Sequence, residues 1–354
     1  MRLASFRRSL AGIGIAAATF AAAACGSGGA AEISEEDLGP AGDGAWEEVI
    51  EAAKQEGSIT YFTGQATDNL QELASRFESV YGIDVEIVRD TDANLQTKLA
   101  AEADTGRHTA DLIATASRPW VDEKLAEDYF VPVTGPAFGA PEFDREKFLR
   151  DDDRIFVSSA AVLTYGWNTS RVPDGIDGYE DLLDPALADG KIGVMLPVSS
   201  AVVDFYDYLE ETVSPDYVER LAAQKPRTYP GAQAMAQALT SGELAATVYT
   251  LPLTAEKEAG APVESGMPSP VFGAPFLTGV PATAPHPNAA QLFANFLVTK
   301  AGQEAVASRA GAVLPDIPTA ATSADGIWVS GRVVTADETE AFRAEFTDMF
   351  GSSQ

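Results

Sequence analysis

The chain of 354 residues carries 24 basic against 53 acidic side chains, a formal net charge of −29. A surface that acidic repels a phosphate backbone, which excludes nucleic acid as a partner. With one cysteine in the chain, a disulfide within the fold and a cysteine-built metal centre are excluded as well.

At the N-terminus, Arg2, Arg7 and Arg8 form a positive region, residues 10–24 an apolar stretch, and Ala22, Ala23 and Ala24 precede Cys25. The stretch is shorter than a membrane span requires. It resembles a bacterial lipoprotein signal, and that resemblance implies a lipid on Cys25, which becomes the mature N-terminus on the outer face of the cell membrane. An ordinary secretory signal is the plain alternative, and Arg7-Arg8 leaves a twin-arginine address open. No later apolar run is long enough to cross a bilayer, so the expected membrane attachment is the lipid alone. Residues 26–44, rich in Gly, Ala and acidic side chains without periodicity, are expected to be a flexible spacer.

From there strand and helix alternate. Residues 45–55 read as a helix closed by Gly57, 58–62 as a strand, and 66–81 as a helix. In that helix Leu70, Leu73, Ala74, Phe77 and Val80 recur at spacings of three and four, up to Gly82. Strands at 84–88 and 110–114 flank a helix at 95–103. Three such units in succession predict a parallel sheet covered by helices. Residues 156–167 hold two strand-like runs, and 179–185 a short helix stopped by Pro185. The alternation then restarts, with strands at 191–196, 244–249 and 272–280 and helices at 201–210, 232–239, 287–299 and 301–308. The fold expected is α/β: two Rossmann-like lobes, 45–161 with 273–320 and 162–272. Crossing strands near 162–167 and 273–281 join them, and a C-terminal extension follows at 321–354.

Four segments carry a resemblance to a known family. They are 57–64 with the Tyr81-Gly82-Ile83 turn; Tyr165-Gly166-Trp167-Asn168 followed by 179–185 and 190–193; 238–246; and 285–304. In that order the chain resembles an extracellular solute-binding protein of an ABC importer, of the ferric-type and related organic-solute branch. The resemblance implies a periplasmic-binding-protein type II fold that closes on a ligand, no enzymatic activity or cofactor, and permease and ATPase subunits as partners.

Ligands of open α/β sheets sit beyond the carboxyl ends of strands, where helix N-termini present free amides. Those positions here are Thr63, Gly64 and Gln65; Thr115 and Ser117; Ser199 and Ser200; Tyr229 and Gly231; and Tyr249 and Thr250, with Tyr165 a further phenol. Capping is the competing role for each hydroxyl. Ferric members of the family use adjacent tyrosines, and here Tyr249 is followed by Thr250. The expected ligand is therefore a small organic anion aided by Arg89, Arg118 or Arg227, with Fe(III) as the alternative and no metal assigned. His108 and His286 are expected in exposed loops, and Asp151-Asp152-Asp153 in a solvated turn. No Walker, zinc-protease or nucleophile-elbow motif is present. A secreted enzyme, which the scarcity of histidine and the missing nucleophile motif disfavour, is one rival class; an adhesive surface protein is the other, and ligand-dependent thermal stabilisation separates it from a transport component.

Overall fold

The computed structural model describes residues 33–351 except 329, 331 and 333; the export segment and Cys25 lie outside the described residues. In the first half, α1 (Gly44–Glu56) starts on Asp43, whose carboxylate accepts the amides of Ala45 and Trp46, and stops at Gly57 in the left-handed region. There follow β1 (Ser58–Thr63), α2 (Thr67–Tyr81), β2 (Asp84–Arg89), α3 (Asp92–Asp104), β3 (Leu112–Thr115) and α4 (Arg118–Ala126). β1 lies between β2 and β3, parallel to both. The sequence gives little sign of α4, because it buries just Val121. Short β4 (Phe130–Val131), α5 (Arg145–Phe148) and β5 (Leu149–Arg150) lead into β6 (Ile155–Asn168).

β6 is one 14-residue strand rather than two. Ser158 and Ser159 break its apolar run, but Ser158 Oγ accepts from Thr278 at 2.8 Å and Ser159 Oγ from Gln65 at 2.7 Å. Buried hydroxyls with partners do not interrupt a strand.

In the second half come β7 (Ile192–Met195), α6 (Ser200–Thr212), α7 (Tyr217–Ala223), β8 (Arg227–Tyr229), α8 (Ala232–Thr240), β9 (Ala246–Thr250), α9 (Thr254–Glu258) and β10 (Val263–Gly266). β7 is parallel to β8 and β9. The helix expected over 179–185 is instead two 3₁₀ turns, Tyr179–Leu183 and Pro185–Leu187, because Asp184 before proline is extended. The chain returns along β11 (Val271–Pro281), antiparallel to β6, to α10 (Pro287–Leu297), α11 (Lys300–Val306) and β12 (Gly311–Ala312). It ends in β13 (Thr322–Ser323), β14 (Ile327–Trp328) and α12 (Ala336–Phe350). The strand order is β2-β1-β3-β11-β6-β9-β7-β8, so β11 and β6 stand between two parallel sets.

Two cores flank those strands. One holds Tyr61, Phe77, Phe293 and Phe296 with β6 as far as Val157 and β11 from Leu277. The other holds Phe205, Tyr206, Tyr208 and Phe346, taking β6 from Leu163 and β11 at Phe272. Each buried ring contributes about 1.5–3 kcal/mol. Between them Ala160, Val162, Val271 and Ile327 form a small cluster. Of the expected spacer, the described part from Ile33 packs Ile33 and Leu38 against the first core, and Lys300 donates to Asp37 at 2.7 Å.

Candidate functional site

Helices α2, α4, α6 and α8 begin just beyond the ends of β1, β3, β7 and β8. Their N-caps are Ala66, Ser117, Ser199 and Gly231, and none makes a side-chain cap. Other long helices are closed: α1 by Asp43, α3 by Thr91 and α12 by Thr335, while Glu56 accepts the Asn288 and Ala289 amides of α10. Uncapped first-turn amides of α2, α6 and α8 therefore collect at the carboxyl ends of the parallel strands, where partial positive charge favours an anion; at α4, Pro119 has no N–H and Arg118 donates to the Ala116 carbonyl.

The expected site residues divide into those the protein uses internally and those left open. Thr63 is buried and donates to Gln65 Oε1 at 3.1 Å; the same oxygen accepts from Tyr61 at 2.7 Å, and Gln65 Nε2 donates to Ser159. These groups brace the β1–α2 loop against β6. Desolvation raises the Tyr61 phenol well above its usual range. Gly64 lies beside the Phe276 ring: a Cβ there would stand 4.0 Å from Cε1 and 3.4 Å from Asp92 Oδ1. Thr115 Oγ1 accepts the Ser117 amide at 3.1 Å. Asp92 takes the Ala116 amide on Oδ2 at 3.1 Å, and its Oδ1 is buried without a partner. Burial raises that carboxyl, opposed by the Thr115 hydroxyl and the Ala116 amide.

Two of the expected phenols have partners in the second half of the chain. Tyr165 is buried in the second core and donates to the Asp177 carbonyl at 2.8 Å. Tyr229 packs against Gly193 and donates to Glu243 at 3.1 Å. Both hydroxyls donate within that half of the molecule. Tyr249 meets Phe205 edge-on at 4.9 Å, and desolvation raises its phenol to about 12. Thr250 gives its carbonyl to Thr164 at 3.2 Å, while its hydroxyl is buried and unpartnered. Ser199 is exposed, and Gly231 has open space around its Cβ position.

A cavity of about 310 Å³ takes its walls from both halves: Ser117 at the start of α4, Ser200 at the start of α6, and Ala274 and Pro275 of β11 all line it. Arg150 and Asp204 line it too, and the sequence reading passed over both. Asp204 stands one helical turn after Ser200, a spacing that places the two on one face; Arg150 lies in a two-residue strand that no periodicity marks. Of the arginines expected to serve a ligand, Arg118 lines this cavity but pairs with Asp122 at 2.8 Å. Arg227 pairs with Glu243 at 2.7 Å, and Arg89 donates to the Gln65 carbonyl.

His286 is a further correction. Its Nδ1 lies 2.9 Å from Asp111 Oδ2, and that fully buried carboxylate also accepts the Thr60 and His286 amides. The expected exposed loop histidine is thus the partly exposed half of a polar junction with a buried aspartate. His108 is exposed, and Asp151, Asp152 and Asp153 form a left-handed turn with Arg145 on Asp153 at 2.8 Å. Among the described residues no group of three His, Cys, Asp or Glu side chains is placed to hold a metal, and no helix is long and apolar enough to cross a membrane.

A family model described as bacterial extracellular solute-binding protein matches residues 59–311. Solved structures share the architecture. A substrate-binding protein of an ABC transporter from Agrobacterium tumefaciens superimposes with a TM-score of 0.65 at 12% identity, covering 83% of this chain and 96% of that one. Iron-bound HitA from Pseudomonas aeruginosa gives 0.59 at 16%, covering 83% and 99%. AfuA from Actinobacillus pleuropneumoniae, with fructose-6-phosphate bound, gives 0.58 at 21%, covering 83% and 98%. No curated protein sequence matches this chain. The shared fold is the two-lobed α/β architecture of type II periplasmic binding proteins.

Proposed function

The chain belongs to the bacterial extracellular solute-binding proteins, and from that premise we propose that it captures a small organic anion between two lobes and delivers it to an ABC importer permease. The lobes would be 45–161 with 273–320 and 162–272, closing about β6 and β11. Neighbours of the same fold are named with different cargo, iron in one and fructose-6-phosphate in another. The observation that favours an anion is the set of three uncapped helix starts, those of α2, α6 and α8, at the strand ends. An anion accepts from such amides without needing a phenolate. Fe(III) needs several anionic oxygens, and Tyr249 supplies a phenol whose ionisation burial opposes, next to Thr250 rather than a second tyrosine. The reading is of a binder, without a reaction.

Titration calorimetry with phosphorylated sugars, phosphonates, carboxylates and ferric citrate tests it. One organic anion should bind, and at a hundredfold excess over its Kd stabilise the fold by about 2.7 kcal/mol. Ser200→Asp, which sets a negative charge among the α6 amides, should abolish that heat. Binding of ferric ion alone, or of neutral solutes alone, would defeat the anion reading.

We also propose that Cys25 is lipidated and tethers the protein outside the cell. Cys25→Ala should then appear in the medium while the unaltered protein fractionates with membranes; equal release of both would leave a plain secretory signal.

A further inference from the structure

The cavity between Ser117 and Ser200 holds three arginines, and their environments differ. Arg118 is neutralised by Asp122 at 2.8 Å, and Arg332 by Asp207 at 2.6 Å and Glu338 at 3.1 Å. Arg150 is half-buried, and among the described residues its guanidinium has neither a hydrogen bond nor an ion pair. In a chain of net charge −29, carboxylates are abundant, yet among the described side chains none pairs with this cation. A partly desolvated guanidinium without an acceptor is costly, and its planar fork matches a carboxylate or phosphate in two parallel bonds.

Asp204 of α6 lines the same cavity; Ser330 and Arg332 lie near its carboxylate, but its Oδ1 is buried without a partner. That oxygen can accept one hydrogen bond and has none, the same deficit in opposite sense. Cation and acceptor line a space of about 310 Å³, the lower end of the range for small-molecule sites.

We infer that this cavity recognises its solute at two points: Arg150 takes an anionic group and Asp204 accepts from a hydroxyl or amine of the same molecule. The class implied is a compact hydroxylated or aminated anion, such as a phosphorylated monosaccharide, in preference to a bare inorganic anion. This rests on the solute-binding reading and adds to it the residues that discriminate. The plain alternative is that the Arg150 stem merely covers Pro275 with its head in water.

The probes are D-fructose 6-phosphate, citrate and inorganic phosphate, measured by calorimetry on the full mature chain. Arg150→Met keeps the stem and removes the fork; Asp204→Asn keeps the shape and removes the charge. Unliganded melting curves that match the unaltered protein show that both variants fold. Arg150→Met should weaken the sugar phosphate about tenfold to a hundredfold, with Arg150→Lys recovering part of the loss. Asp204→Asn should weaken the sugar phosphate and leave inorganic phosphate unchanged. If Arg150→Met binds every probe as the unaltered protein does, the two-point site is wrong and the anion reading stands. If the unaltered protein binds none of the three probes, this inference is wrong, and binding of neutral solutes in their place would remove the anion reading too.

Discussion

Gln65 and Ser159, 94 residues apart in sequence, share a buried hydrogen bond of 2.7 Å from side-chain amide to hydroxyl. It ties the first strand-end loop to a strand that passes between the two cores. Gln65→Leu would leave the Tyr61 and Ser159 hydroxyls buried without their partner, a loss of about 2–3 kcal/mol. Urea denaturation should show a lower midpoint with unchanged slope, and Ser159→Ala should cost about 1 kcal/mol. Equal stability of Gln65→Leu and the unaltered protein would show that the bond does not brace the loop.

Gly273 in β11 faces its partner strand with no room for a side chain. A Cβ there would stand 2.6 Å from the Ala161 carbonyl and 2.7 Å from Ile327 Cγ2. Backbone cannot yield as a flexible side chain does, so Gly273→Ala should destabilise by about 1–3 kcal/mol. Gly178→Ala, with nothing within 4 Å of its Cβ position, should change the melting temperature little. Similar melting temperatures for the two would refute the close-approach argument.

The Asp37–Lys300 pair gives the N-terminal segment a pH signature. The bond from Lys300, then those from Ser34, lower the Asp37 carboxyl from 3.8 to about 2. A carboxyl depressed on folding stabilises the fold above its unfolded pKa, and that stability is lost as pH falls from about 4 toward 2. Lys300 is exposed and Asp37 partly so, and the effect is therefore screened and small. Asp37→Asn should lower the melting temperature slightly at pH 7, and the difference should disappear near pH 2. A difference independent of pH would assign the effect to packing instead.

Tyr249 gives the test of the ferric alternative. With Thr250 rather than a second tyrosine beside Tyr249, and burial opposing ionisation of its phenol, ferric citrate titrated at pH 7 should produce no visible phenolate-to-iron band. Tyr249→Phe should leave iron retention unchanged. A coloured stoichiometric complex that bleaches in Tyr249→Phe would reverse the order of the two ligand classes.

How much was legible follows from where each signal lives. The helix at Thr67–Tyr81 declared itself through apolar spacing and Gly82, and the alternation of β1, α2, β2, α3 and β3 through local periodicity, because burial on one side imposes a repeat on nearby residues. The strand-end positions came from the order of elements. Periodicity says nothing about which face of the sheet a phenol enters, so Tyr165 and Tyr229 read as open when Asp177 and Glu243 hold them. Nor could it pair His286 with Asp111 across 175 residues, or show that Ser158 and Ser159 have partners that let β6 run unbroken. Arg150 and Asp204 were silent for the same reason. Local pattern records the burial of neighbours along the chain, whereas an unpaired guanidinium and an unpaired carboxylate oxygen acquire meaning only when folding sets them around one cavity.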